Sequence, residues 1–253
     1  MTTTYISIIS HNNDQMIIDN NELTNVAEHC RVIIKSNTPA STRLIQHCEK
    51  HSITLINSDY SLGFGANNNF VFSYVSTHLN LKENDFFLVM NPDVVITLAS
   101  INTLIIEAER NKSPISTINL YRDQGFTEYD QSIKRFPSIL TPLKAKVSKI
   151  REDTYNKDII DTPTKIDWAA GSFLLFKASI YRELNGFDES FFMYFEDVDL
   201  AKRAKAKNIT LTYFPNIKAI HFASYQNRKI FSKNFRWYIT SLFRYHLKRK
   251  RLI

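Results

Sequence analysis

Residues 85–90 read DFFLVM, and Asn91-Pro92-Asp93 follows at once. A run this apolar has no polar face, so it fits a strand covered on both sides, as in the middle of a parallel sheet. Asn-Pro-Asp then closes it, because proline donates nothing to a ladder and Asn and Asp are turn formers. On both sides of this stretch, strand-like and helix-like segments alternate. Residues 5–10 (YISIIS), 31–36 (RVIIKS), 53–57 (ITLIN) and 115–120 (ISTINL) are β-branched and read as strands. Residues 14–29, 39–50, 67–79 and 98–110 read as helices, with Pro39 near the first turn of the second. Such alternation predicts an α/β fold, a mostly parallel central sheet with flanking helices. Ligands of these sheets bind beyond the C-terminal ends of the strands. The loops of interest therefore follow Ser10, Ser36, Asn57 and Met90.

The second half is less regular. Residues 121–165 are polar and rich in Pro and Lys, a mobile or acceptor-facing stretch by composition. Order returns at 168–177 (WAAGSFLLFK), followed by a helix over about 197–207, strands at 210–214 and 218–222, and a helical tail from about 228. Of the 253 residues 43% are hydrophobic, enough for a sizeable core. Cys30 and Cys48 have no metal spacing and no disulfide framework, so both are expected as buried thiols in a reduced compartment. The N-terminus has no basic n-region, and no stretch approaches the ~18 apolar residues of a spanning helix. A cytoplasmic location is expected.

The net charge of +7 is unevenly spread. The last acidic residue is Asp199; residues 1–199 balance to −7, and residues 200–253 carry +14 with no acid. The C-terminal part is thus suited to a polyanionic partner: nucleic acid, an anionic membrane or a phosphorylated ligand. Residues 231–253 (FSKNFRWYITSLFRYHLKRKRLI) interleave aromatics with Lys and Arg. Phe231, Phe235, Tyr238, Leu242 and Tyr245 fall at helical spacing. That face can lie on a membrane or pack on the rest of the chain, and basic–aromatic interleaving also suits nucleic acid.

Three constellations carry chemistry. Asp93 stands where a ligand would bind, and its carboxylate can hold a divalent cation that bridges phosphates; a plain turn is the other reading. Ser61–Asn69 (SLGFGANNN) contains two of the chain's five glycines, a loop that lets backbone approach a ligand or merely opens a helix. In FFMYFEDVDL (191–200), three carboxylates lie within four residues behind a run of apolar and aromatic side chains. They can cap a helix, or sit against a low-dielectric wall that raises a carboxylate's pKa toward that of a general base. His221, at the end of a short strand, is structural or a metal ligand. Arg135 reaches a phosphate or solvent. Trp168 is core or a stacking platform.

Together these segments resemble the family 2 glycosyltransferases of the GT-A fold, especially bacterial rhamnosyltransferase-like members. The matching pieces are GFGANN (63–68), MNPDV (90–94), KRFP (134–137), DWAAGSFLLFK (167–177), LNGFDESFFMYFEDVDLAKR (184–203) and His221 followed by Ser224. The resemblance implies an inverting transferase. It would move one sugar, such as rhamnose, from a dTDP- or UDP-linked donor to a hydroxyl of a lipid-linked or cell-surface glycan. It implies Asp93 as the metal-binding Asp with Mg2+ or Mn2+, and His221 completing the metal or diphosphate contacts. Asp197 would be the general base with Glu196 beside it. On the donor and substrate side it implies Ser10, Asn37, Gly63, Gly65, Asn67, Asn68, Asn91, Arg135, Trp168 and Gly171.

Two loops depart from the family's usual pattern. After the first strand the chain reads Ser10-His11-Asn12-Asn13. After the second, Lys35-Ser36-Asn37-Thr38 stands where an Asp normally holds the nucleobase, and a lysine cannot accept the base's N–H. Altered donor recognition with retained catalysis is expected. The expected organisation is a GT-A domain over 1–227, with a nucleotide-binding half (1–120) and an acceptor and catalytic half (121–227). A basic amphipathic helix over 228–253 would hold it peripherally on the inner face of the cytoplasmic membrane. A non-catalytic nucleotide-sugar-binding subunit of a glycan assembly complex is the alternative. Nucleic acid is not expected as a partner, since no nucleic-acid fold motif accompanies the basic tail.

Overall fold

The computed structural model describes residues 2–137, 153–222 and 233–249. Four strands, β1 (Thr4–Ser10), β2 (Arg31–Ser36), β3 (Thr54–Ile56) and β4 (Phe86–Met90), run parallel in the order β3-β2-β1-β4. β4 is the DFFLVM strand. Its side chains alternate between two apolar clusters, with Phe86, Leu88 and Met90 on one face and Phe87 and Val89 on the other. None is more than 2% exposed, so a polar residue anywhere in the run would be buried without a partner.

The remaining strands extend the sheet past β4. They are β5 (Val94–Val95), β6 (Ile115–Tyr121), β8 (Thr164–Ile166), β10 (Phe173–Lys177) and β11 (Leu211–His221). β10 is inserted antiparallel between β4 and β6, and β11 lies parallel to β6. β5 and β8 pair antiparallel with β11. A separate two-stranded ladder joins β7 (Ile133–Lys134) to β9 (Trp168–Ala169). Because β10 runs backwards, it begins where β4 ends: Phe173 faces Met90, and Asn91 N–H donates to the Ser172 carbonyl at 3.0 Å. β5 sets Val94 opposite His221. The ends of β4 and β11 and the entry to β10 thus meet at one edge of the sheet.

The helices are α1 (Asp14–Ile18), α2 (Asn21–Ala27), α3 (Thr42–Lys50), α4 (Phe64–His78), α5 (Leu98–Arg110), α6 (Ala178–Glu183), α7 (Glu196–Ala206) and α8 (Lys233–Arg249). The helix expected over 14–29 is two helices. Asn20 breaks it, capping α2 through Leu23 N–H while its amide donates to the Val94 carbonyl. α4 begins earlier than expected, with Gly63 as its N-cap, so the glycine stretch is a helix start rather than a loop. The strands expected at 210–214 and 218–222 are one strand with an irregularity between Phe214 and Lys218, which absorbs Pro215. Cys30 and Cys48 are buried and free, and burial pushes both thiols up to about 11, away from reactivity.

Among the described residues no helix is long and apolar enough to cross a membrane. Tyr238, Leu242 and Tyr245 of α8 pack with Trp168, Phe191, Phe195 and Val198. Of the two readings of that stripe, membrane face or packing face, these three residues take the second. The large apolar residues exposed on α8 are Phe243 and Leu247, at 65% and 64%. Phe231, Ser224 and residues 250–253 of the terminal basic run lie outside the described residues, as does 138–152 of the irregular stretch.

Candidate active site

The strand ends bring Asp93 and His221 together. Nε2 of His221 lies 3.3 Å from Oδ1 of Asp93, and Nδ1 lies 3.1 Å from Oδ2 of Asp130. All three side chains are largely buried. Burial alone would lower the imidazole's pKa. The contacts with Asp130 and Asp93 and their negative charges outweigh it and push His221 up to about 9. Burial alone would raise Asp130. The hydrogen bond and charge of His221, with the charges of Lys157 and Arg122, hold it below the ordinary Asp value instead.

Oδ1 of Asp93 is buried, and the ring nitrogen of His221 is its near polar neighbour. A cation that displaced the Nε2 proton would find a carboxylate oxygen and an imidazole nitrogen side by side. Among the described residues no group of three or more His, Cys, Asp or Glu could hold a metal by itself. A two-residue set fits Mg2+ or Mn2+, which fill their octahedra with substrate phosphate oxygens and water.

The second centre is the start of α7. Tyr194 and Phe195 both have φ of 70°, a conformation that strains residues bearing a side chain. Packing holds them there. The Phe195 ring lies 5.5 Å from both Tyr238 and Tyr245, Ser241 Oγ donates to the Met193 carbonyl, and Phe64 N–H donates to the Phe192 carbonyl. The turn sends Glu196 inward, where it is 6% exposed with an unpartnered Oε2. Asp197 is half-buried and accepts Gly171 N–H at 3.1 Å. Burial raises both carboxyls above their usual range, and the Asp197 charge raises Glu196 further. The N–H groups of Gly171 and Val198 and the Lys134 ammonium restrain Asp197. Glu196 therefore keeps a proton more readily than Asp197, whose basicity is also raised. Asp199, the third carboxylate, is taken by Arg203 at 2.7 Å, which also binds the Leu184 and Gly186 carbonyls.

The other candidates divide by exposure. Asn91 and Gly171 lie at the junction of β4 and β10, and Gly171 touches Asp197 directly. Ser10, Asn37, Asn67 and Asn68 are buried with internal bonds. Ser10 Oγ bonds Asp14, and Asn37 pairs with both backbone groups of Leu62. Asn67 donates to Leu62 and Gly63, and Asn68 joins Ser7 to Phe64. Oδ1 of Asn67 is buried and makes no hydrogen bond. A Cβ on Gly63 would fall 2.5 Å from the Phe192 carbonyl oxygen, and one on Gly65 2.7 Å from Phe187. The two glycines thus let α4 seat against the turn before α7. Trp168 is 9% exposed and bonds the Arg135 carbonyl, a core position.

Arg135 is exposed and stacks on Tyr155 at 4.7 Å, so the KRFP cation that acts on Asp197 is Lys134. Lys35 is fully buried and its Nζ donates to the carbonyls of Ser36, Ser58 and Asp59. It ties β2 to the 58–59 loop. Asp130 and Lys157 were not singled out from sequence, where neither stands in a spacing that marks it, and Lys134 was marked only as part of KRFP.

No family model matches the chain. Over 250 residues, 98% of this chain and 94% of the relative, it is 36% identical to the rhamnosyltransferase WbbL of Escherichia coli K12. It is 28% identical over 149 residues to the N-acetylglucosaminyl-diphospho-decaprenol L-rhamnosyltransferase of Mycobacterium tuberculosis H37Rv, covering 54% of this chain and 47% of that one. Among solved structures, GalNAc-T7 with UDP, GalNAc and Mn2+ superposes with a TM-score of 0.61 at 10% identity, over 96% of this chain and 48% of that one. S. aureus TarS superposes at 0.58 and 9% identity, over 88% and 37%. The chain spans half or less of these solved chains, and at such identities the likeness is one of fold.

Proposed function

The chain belongs to the family 2 glycosyltransferases of the GT-A fold, as a bacterial rhamnosyltransferase-like member, and on that premise we propose an inverting, metal-dependent transfer of one sugar, rhamnose. The donor would be a dTDP- or UDP-linked sugar and the acceptor a hydroxyl of a lipid-linked or cell-surface glycan. The observation that supports the reading is the meeting of Asp93 and His221 at the sheet edge, a buried carboxylate oxygen 3.3 Å from a ring nitrogen. A bound Mg2+ or Mn2+ would neutralise charge on the departing diphosphate.

Asp93 and His221 would hold that cation. Asp197, fixed by Gly171 N–H and made more basic by burial, takes the acceptor's hydroxyl proton. The acceptor oxygen forms its bond to the anomeric carbon as the bond to the diphosphate oxygen breaks on the opposite face, so configuration inverts. Glu196, protonated, leaves Asp197 without a second negative charge beside it. A lipid-linked acceptor is in keeping with the name of the mycobacterial relative. It also suits the exposed stripe of α8, where Arg236, Phe243 and Leu247 could rest on an anionic inner-leaflet surface.

The test is thermal stability with UDP and dTDP, with and without Mg2+ or Mn2+, followed by transfer from the stabilising nucleotide's rhamnose conjugate to a polyprenyl-diphosphate-linked sugar. Metal-dependent stabilisation and a product of inverted anomeric configuration are expected. A retained configuration, or transfer undiminished in EDTA, would overturn the mechanism.

A further inference from the structure

Behind the Asp93–His221 pair lies one further buried carboxylate, Asp130. It sits just after the β6 turn, 9% exposed, with its backbone N–H on the Leu120 carbonyl at 2.9 Å. Its carboxylate faces Nδ1 of His221, and Nε2 of the same ring faces Asp93. Behind it Lys157, 7% exposed, bonds Asn119 Oδ1 at 3.2 Å, the Leu120 carbonyl at 3.4 Å and Ser132 Oγ at 3.4 Å.

To hold a cation the ring must be neutral, with one N–H and one lone pair. If the hydrogen sat on Nε2, it would point at Asp93 and occupy both groups proposed to hold the cation. With the hydrogen donated from Nδ1 to Asp130, the Nε2 lone pair is free for a cation and faces Oδ1 of Asp93 3.3 Å away. A carboxylate behind a metal-binding histidine sets the ring's tautomer and orientation in this way.

We infer that Asp130 is a positioning residue that turns His221 toward a divalent cation shared with Asp93, with Lys157 fixing the backbone and polar groups around Asp130. The inference rests on the metal-dependent reading. Asp130 touches neither donor nor acceptor; its effect passes through His221.

The test measures Mn2+ affinity of the full chain by electron paramagnetic resonance in the presence of UDP or dTDP, whichever stabilises it. Asp130→Ala should weaken Mn2+ binding by about 10- to 100-fold. Asp130→Asn, which keeps both the volume and an oxygen able to accept from Nδ1, should recover most of the loss. Nucleotide affinity in EDTA should be the same in all three proteins, and the ring-nitrogen NMR shifts of His221 should show the Nδ1–H tautomer in the Mn2+-free diamagnetic Mg2+ complex of the wild type. Unchanged Mn2+ affinity in Asp130→Ala would overturn the inference while leaving the metal-dependent reading standing. Equal loss of Mn2+ binding and metal-free nucleotide binding would make Asp130 merely structural. Absence of Mn2+ binding by the wild type would overturn both.

Discussion

Lys157 offers a prediction whose size follows from its surroundings. It is 7% exposed, and the rings of Tyr129 and Tyr213 lie 5.7 Å from its ammonium. Burial lowers its pKa from 10.5 to about 8, against the opposing pull of Asp130. A lysine whose folded pKa is depressed contributes stability that is fully present above its unfolded pKa and is lost as the pH falls through the folded one. The gap from 10.5 to about 8, at ~1.36 kcal/mol per pH unit, amounts to roughly 3 kcal/mol. Lys157→Met has a similar length and no titrating group. The stability of the wild type minus that of the variant should therefore rise by roughly 3 kcal/mol from about pH 7 to about pH 10.5. Urea unfolding followed by circular dichroism at several pH values measures both curves, and the subtraction cancels lysines and tyrosines that do not feel Lys157. His221, at about 9, titrates in the same window and touches Asp130, so the pair is repeated with His221→Asn in both proteins. Two curves that stay parallel across the window would refute the account of Lys157 as a desolvated ammonium.

Three further outcomes test the second centre. Asp197→Asn should lower turnover by ~10²–10⁴ while nucleotide-induced stabilisation stays as in the wild type, and near-normal turnover would remove Asp197 from the role of base. Glu196→Gln should stabilise the fold, and more so at higher pH. The raised carboxyl contributes stability present below its unfolded pKa and lost as pH rises through the folded value, whereas the amide loses none. An equal gain in melting temperature at about pH 5 and about pH 8 would contradict that. Tyr245→Ala removes a 4% exposed ring from the cluster around Phe195 and should cost about 3–5 kcal/mol by urea unfolding. It should also depress turnover at a temperature where the variant is folded. Normal turnover would mean that α8 does not hold the turn before Asp197.

The parallel half of the fold was legible because each strand carries its own burial pattern. β4 is apolar on both faces since both faces are covered, and that is written in five consecutive residues. The antiparallel insertion of β10 was not legible. FLLFK has the same double-sided apolar pattern as a parallel strand, and nothing local tells which neighbour it will pair with. The start of α4 was misread for a related reason. Two glycines at 63 and 65 lower helix propensity, but they are required because a Cβ would collide with Phe192 and Phe187, residues far away in sequence. Tertiary contact overrode local propensity there.

The same distinction separates the parts of the site. Asp93 was legible because a turn at the end of a buried strand has a known place in the fold, and Glu196 and Asp197 because the aromatic wall precedes them in the chain. Asp130 and Lys157 had no such mark: each is one charged residue in a polar stretch. What joins Asp130 to His221 is the parallel register of β6 on β11, which sets Ile220 beside Tyr121, together with the Tyr121–Tyr129 bridge that folds Asp130 back along β6. Charge in a sequence can be counted, but its burial is decided by register. A lysine and an aspartate that look solvated in the sequence therefore become, at this sheet edge, the groups whose removal should be felt at the histidine proposed to hold the cation.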